Sequence, residues 1–256
     1  PLGFLDAFRA IMCGNTLAFF TPNRVGEYGG RILILQKATQ LQGIALTLVG
    51  SFSQILANTF WCTLAFLLFL LHFEIIPFQW ILLLGIVAIG AWTSALLVYF
   101  NMDYLLKVLS HIRWSWIQKA LPYVSVIERY SITELSIILG YCLLRYMVYT
   151  LQYLILLWAF GLQIAFPIAL LCIGSIFFIQ TIVPSIALIE MGVRGNIALY
   201  VLGYVTLNQM GILVATFSLW FINLLLPALI GLAIIGNLNI AERLHFDSWR
   251  YINKKA

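Results

Sequence analysis

The chain has 256 residues, 63% of them hydrophobic and only 9% charged, with a mean hydropathy of +1.01. A soluble core of this size cannot bury that much apolar surface; long uncharged apolar runs read as membrane-spanning helices, and the short alternating segments of a barrel are missing. The net charge of +5 does not point to nucleic acid, because the bases gather in a few segments where membrane topology accounts for them.

In chain order, residues 4–20 are apolar and are interrupted at Pro22, and 28–40 resume as a short helix. Residues 44–72 form a long span, 79–100 a second and 133–159 a third. Between the last two, 101–132 is amphipathic. Its Lys107, Arg113, Lys119 and Arg129 interleave with Leu105, Leu106, Leu109, Trp114 and Trp116, which suits a helix lying on the inner leaflet better than a merely solvated face. Residues 164–182 are apolar up to an interruption at Pro184, 191–206 form a short segment, 209–236 the last span, and 237–256 a basic tail. Cys13, Cys62, Cys142 and Cys172 lie in or beside apolar segments without a CxxC pair and read as small packing residues.

The segment 101–132 and the tail, with Arg243, Arg250, Lys254 and Lys255, carry the Lys/Arg excess, while 73–78 and 160–166 carry none. The positive-inside rule therefore puts the first two in the cytoplasm and the other two outside. Trp80 and Trp158 fall at the outer ends of their spans, where interfacial tryptophans belong.

The scarce charges recur in a pattern. "TPNRVGEYGGR" contains Glu27, Gly29 and Arg31, and "VPSIALIEMGVR" contains Glu190, Gly192 and Arg194. The offset is 163 for both the glutamates (190 − 27) and the arginines (194 − 31), with a proline five or six residues before each glutamate. Internal repetition explains this better than chance. Three crossings separate the copies, an odd number, so the repeats are inverted. Inverted repeats with broken helices place half-helix ends and irregular backbone near the midplane, where a transporter binds its substrate. Pro22, Gly26, Gly29, Pro184 and Gly192 are the expected helix breakers. Free amides at a new helix start attract anions. Arginine adds a forked phosphate ligand, and a glutamate four residues earlier can orient it. The alternative is an interfacial loop with snorkelling side chains; Arg24 and Lys37 fit that alternative, whereas duplication argues against it for the two Glu–Arg pairs.

Helix 44–72 carries Thr47, Ser51, Gln54 and Asn58 on one stripe, which serves either as interhelical glue or as a cavity lining. Helix 133–159 carries Arg145, Tyr149, Gln152 and Tyr153 on one face. Arg145 is mid-span and needs water or a partner, for which Glu27 and Glu190 are the candidates. The candidate substrate-binding residues are therefore Glu27, Arg31, Gln54, Asn58, Arg145, Tyr149, Glu190 and Arg194. His72, His111 and His245 lie apart, and no GxSxG, Walker A or dinucleotide fingerprint occurs. No catalytic residue, metal or cofactor is expected.

On Pro22, Gly26, Glu27 and Arg31, then Pro184, Glu190, Gly192 and Arg194, the chain resembles the flippase-like membrane domain of lysylphosphatidylglycerol synthases and the stand-alone proteins built on it. The resemblance covers nearly the whole chain. It implies movement of lipids between leaflets. The synthases also carry a soluble aminoacyl-transfer domain, and nothing here resembles one. The first hairpin departs from the pattern with Asn23 and Arg24 where small residues are expected, and the second is less glycine-rich.

The sequence thus predicts an all-α polytopic membrane protein, one membrane domain over 1–256. Inverted repeats of about 4–72 and 164–236 each hold a proline-broken re-entrant helical hairpin, joined by linking helices at about 79–159. The expected function is translocation or binding of an anionic lipid, a phospholipid or a polyprenyl-linked glycan, in a bacterial inner membrane with the C-terminal tail cytoplasmic. The alternative is a membrane-embedded enzyme or accessory subunit of lipid or glycan transfer. The expected partners are membrane lipids and an enzyme of lipid or envelope-glycan synthesis, not nucleic acid.

Overall fold

The computed structural model describes residues 3–21, 25–32, 37–101, 130–183 and 187–236, with residues 32, 37–46 and 187–189 described by their backbone alone. The expected breakers Pro22 and Pro184, together with Arg24, nearly all of the amphipathic segment and the tail 237–256, lie outside the described residues. Every regular element among the described residues is helical: α1 (Phe4–Phe20), α2 (Gly26–Ile32), α3 (Lys37–His72), α4 (Phe78–Phe100), α5 (Ile132–Ala159), α6 (Phe166–Ile182), α7 (Ala187–Leu202), α8 (Gln209–Trp220), a π-helical turn (Phe221–Leu225) and α9 (Leu226–Gly236).

Four stretches are long and apolar enough to cross a membrane: Thr47–His72, Phe78–Phe100, Ile132–Ala159 and Gln209–Gly236. They match the four expected spans. α4 fits a lipid-facing helix best. Only Ile81 and Tyr99 are buried in it, while Leu82, Leu83, Ile86, Val87 and Ile89 stand exposed. α1 and α6 have 17 residues each, about 25 Å at 1.5 Å per residue, short of the ~30 Å hydrocarbon core.

Two boundaries differ from expectation. The long span expected from 44 is already helical at Lys37, while of the short helix expected at 28–40 residues 33–36 lie outside the described residues. An apolar run marks where a helix becomes hydrophobic, not where it starts, and the polar "KATQLQG" at the head of α3 hid its first turns. The segment expected at 191–206 is shifted toward the N-terminus, as α7 starts at Ala187 and ends at Leu202.

The helix ends follow local chemistry. Ser131 and Glu134 form a capping box ahead of α5, each side chain accepting from the other's backbone N–H. Asn208 caps α8 by accepting from Gly211 N–H at 3.0 Å. α3 and α5 both end in the pair of bonds that turns a chain back on itself, Ile75 N–H to Leu70 and Glu74 N–H to Leu71, then Leu162 N–H to Leu157 and Gly161 N–H to Trp158. Gly161 holds the required positive φ of 80° without strain, whereas Glu74 holds φ 50° despite its side chain.

The chain folds as two compact units. Of the described residues the first contains α1, α2, the head of α3, Ala187 and Leu188 at the start of α7, Trp220, the π-helical turn and α9. Here α2 runs antiparallel along α1. A Cβ at Gly26 would strike the Leu17 carbonyl, and one at Gly30 the Cys13 carbonyl. Glycines four apart allow this approach, the usual device of membrane helix pairs. α9 also runs antiparallel to α1: Phe19 meets Trp220 and Leu224, Thr16 Oγ1 donates to Ala228 O at 2.8 Å, Gly231 abuts Met12, and Ala10 and Cys13 pack with Ile234 and Ile235.

The second unit holds Ala45–Pro184 and Ile189–Leu219. α4 runs antiparallel to α3, with Tyr99 hydroxyl 2.7 Å from Ser53 Oγ and Trp92 Nε1 donating to Leu56 O. α5 runs parallel to α3: Val49 and Leu56 pack with Leu135, and Phe69 packs with Leu154 and Leu157. The main core gathers where α5 ends. It joins Leu157, Leu162 and Ile164 to Ala169 and Ile173 at the head of α6, to Val201 and Leu202 at the end of α7, and to Ile212 at the head of α8. The head of α6 and the end of α7 therefore lie together beside the C-terminus of α5. Small residues pack α6, with Gly174 against Ala65. All four cysteines are buried and unpaired.

Candidate functional site

One copy of the duplicated motif sits on α2 and the other on α7. On α2, the Arg31 guanidinium pairs with Glu27, and the side chains are 26% and 19% exposed. On α7, Arg194 pairs with Glu190, at 26% and 22% exposed, and its Nε donates to Glu190 Oε1 at 2.9 Å. The spacing of four residues puts both partners on one face one turn apart, with the acid toward the positive end of the helix. In water such a pair is worth only about 0.3–0.5 kcal/mol; where it is half-buried its greater effect is to keep the arginine charge compensated. Arg194 binds the carboxylate through Nε and Nη2, so among the described residues Nη1 takes no acceptor and points its donors elsewhere.

The supports of the first pair were not foreseen. Thr21 Oγ1 donates to Leu17 O at 2.9 Å and accepts from Gly26 N–H at 2.7 Å, tying the end of α1 to the start of α2. Gly14 of α1 lies beneath the ion pair. A Cβ there would stand 3.1 Å from Arg31 Cγ and 3.4 Å from Glu27 Cγ. Only the neighbourhood of Thr21 and Pro22 in "FFTPN" could have signalled the first; nothing in the sequence signals the second.

One expectation is corrected. The start of α2 offers no ready set of free amides to an anion, because Gly26 N–H is taken by Thr21 and Tyr28 N–H by Val25 O. Gly29 and Gly192 are not at the breaks either. They lie inside α2 and α7, both exposed, and a Cβ would meet only Leu17 Cδ1 at 3.8 Å in the first case and nothing within 4 Å in the second. Gly26 does begin its helix, and its task there is close packing.

Arg145 is exposed on α5 and is not paired with Glu190, whose carboxylate holds Arg194, nor does Glu27 serve it, being held by Arg31. Its described partner is Tyr149 on its own helix, at 3.4 Å from the hydroxyl and with the ring centroid 5.3 Å away. A charge at mid-span costs about 2.5–3.5 kcal/mol on insertion scales, and the cation–π contact offsets only part of it. Gln54 Nε2 donates to Asn58 Oδ1 at 2.7 Å and reaches Cys142 O at 3.5 Å, so this part of the α3 stripe meets α5. Of the candidates, Glu27 and Arg31 belong to the first unit, and Gln54, Asn58, Arg145, Tyr149, Glu190 and Arg194 to the second.

Two buried polar links join the helices of the second unit, one through Ser53, off the expected α3 stripe, and one through Tyr153, on the expected α5 face. Ser53, Tyr99 and the Leu135 carbonyl form a chain of bonds at 2.7 and 2.8 Å, and Tyr153 donates to Thr216 at 2.7 Å. These tie α3 to α4 and α5, and α5 to α8. No family model, curated protein or solved structure matches the chain.

Proposed function

We propose that this is a multi-pass protein of a bacterial cytoplasmic membrane that moves an anionic lipid between leaflets, a phospholipid or a polyprenyl-linked glycan. In this reading α1–α2 and α6–α7 are inverted re-entrant repeats and the C-terminal tail is cytoplasmic. The observation that carries the reading is the recurrence of one local geometry, a half-buried Glu–Arg pair one turn apart on the return arm of a hairpin whose outgoing arm has 17 residues. Such an arm is too short to cross, and a phosphate is the ligand an arginine fork matches.

Helix directions support the inversion. α3 and α5 run parallel and α4 runs against them, as three successive crossings between the motif copies would require. In the second unit the hairpin opens beside the start of α8, and in the first unit α1 begins beside the end of α9. The resemblance to the flippase-like domain points the same way.

The test is purified protein in vesicles containing fluorescent phosphatidylglycerol, with a membrane-impermeant quencher added outside. Signal should fall below the level set by the inner leaflet. Vesicles indistinguishable from protein-free ones, for phosphatidylglycerol and for a polyprenyl phosphate sugar alike, would reject the reading.

A further inference from the structure

Arg145 is the fourteenth of the 28 residues of α5, about 20 Å from either end at 1.5 Å per residue. Among the described residues its one acceptor is the Tyr149 hydroxyl at 3.4 Å. A guanidinium has five N–H donors in a fixed fork, so most remain for a ligand. On α3, Gln54 and Asn58 bond one another, and Gln54 reaches the carbonyl of Cys142, one turn before Arg145. Gln54 of α3 thus meets the α5 backbone one turn before Arg145, which places the α3–α5 seam beside the arginine.

One observation and two physical arguments point to what covers this seam. The exposed residues flanking Arg145 are large, with Tyr141 68%, Leu144 56% and Val148 52% exposed; membrane helices approach one another at small residues, whereas side chains of this size suit acyl chains. A second copy presenting the same face would set Arg145 against Arg145. Among the described residues no carboxylate compensates the Arg145 guanidinium, and a charge at this depth demands an anion. One molecule supplies both the anion and the apolar surroundings.

We propose that the α3–α5 seam is a mid-membrane station for the phosphate of an anionic phospholipid, open sideways to the acyl-chain region. The headgroup passes along the seam while the chains stay in the bilayer. Arg145 takes phosphate oxygens through its fork, and Tyr149 shields the charge when the station is empty. This rests on the reading of the chain as a lipid translocator and adds the route.

Two measurements in phosphatidylcholine vesicles test it, and neither uses transport. A nitroxide on Val148→Cys should be relaxed strongly by molecular oxygen, which partitions into hydrocarbon, and weakly by a water-soluble nickel chelate. Access for the chelate alone would mean a sealed aqueous cavity; access for neither would mean cover by protein, such as a partner helix bearing a carboxylate. Either outcome overturns the proposal. Chain-labelled phosphatidylglycerol should be restricted by the protein more than chain-labelled phosphatidylcholine. Arg145→Gln should lower that preference about fivefold, the factor expected of one basic residue toward an anionic lipid, and Arg145→Lys should lower it less. An unchanged preference in folded Arg145→Gln protein also overturns it. A wild type that restricts phosphatidylglycerol through Arg145 yet moves no lipid would reject the functional reading and leave the station standing.

Discussion

Gly30 of α2 lies so close to Cys13 of α1 that a β-carbon on Gly30 would strike the Cys13 carbonyl oxygen. The hairpin that presents Glu27 and Arg31 is held shut by this approach. Gly30→Ala should therefore destabilise the folded protein by about 1–3 kcal/mol, the usual cost of overpacking. Gly29→Ala, one residue away, meets only Leu17 Cδ1 at 3.8 Å. It should be neutral or stabilising by up to about 1 kcal/mol through helix propensity. Thermal unfolding of both variants in one detergent checks the contrast, and equal melting temperatures would refute the packing argument.

Gly29 and Gly192 raise a separate expectation. Both are exposed, both lie within a helix, and neither is required by packing in its own unit. Each costs helix stability relative to alanine. If the duplicated glycine serves close approach of lipid to the backbone, Gly29→Ala and Gly192→Ala should slow lipid movement while leaving the melting temperature level or raised. Full lipid movement in both would assign the glycines no role in transport.

Tyr99 is fully buried, and its hydroxyl links Ser53 to the Leu135 carbonyl. Tyr99→Phe should cost about 0.6–2 kcal/mol, between the mean for hydrogen bonds within membranes and the penalty for buried groups left unpaired. Ser53→Ala should cost less, because Tyr99 keeps its bond to Leu135. A double variant no worse than Tyr99→Phe alone would show the two hydroxyls acting as one link, as measured by unfolding in detergent.

The four spans were legible because an apolar run long enough to cross a bilayer has few other readings, and the ends of α4, α5 and α6 fell within two residues of expectation. The Glu–Arg pairs were legible because a spacing of four on a helix fixes a shared face. Gly14 and Thr21 were not legible. Their work depends on which helix lies across from them, and α1 looks like any apolar segment until α2 folds back along it. Arg145 was legible as an anomaly but not in its partner. Spacing showed that Tyr149 shared its face, while the cost of an unpaired charge drew attention to distant glutamates that each already hold an arginine of their own.

Topology is open to labelling without first removing the native thiols, since all four are buried. Gln163 and Leu207 are exposed in loops at the end of the second unit where α5 terminates. Cysteines placed there should react with a membrane-impermeant maleimide added to whole cells. A cysteine at Lys254 should react only after lysis. The reverse pattern would invert the proposed orientation.

The arginine forks of the duplicated motif carry the central chemical expectation. A phosphate presents two or three oxygens, which a planar guanidinium matches in pairs and a lysine ammonium meets only as a point charge. Arg31→Lys and Arg194→Lys should therefore slow lipid movement although charge is kept, and Arg31→Gln and Arg194→Gln should slow it further. The glutamates act differently. Glu190 holds Arg194 along its Nε–Nη2 edge, which aims the remaining donors and keeps the local charge near zero. Glu190→Gln would leave that arginine positive and loosely held. Lipid should then bind more tightly and leave more slowly, so affinity rises while flux falls. Glu27→Gln should do the same on α2, where Arg31 also packs its stem over Gly14. The comparison is flux and phosphatidylglycerol affinity for each variant, with folding checked by melting temperature. Folded Arg31→Gln and Arg194→Gln proteins that move lipid at the wild-type rate would show that the duplicated pair is structural and that the phosphate is held elsewhere.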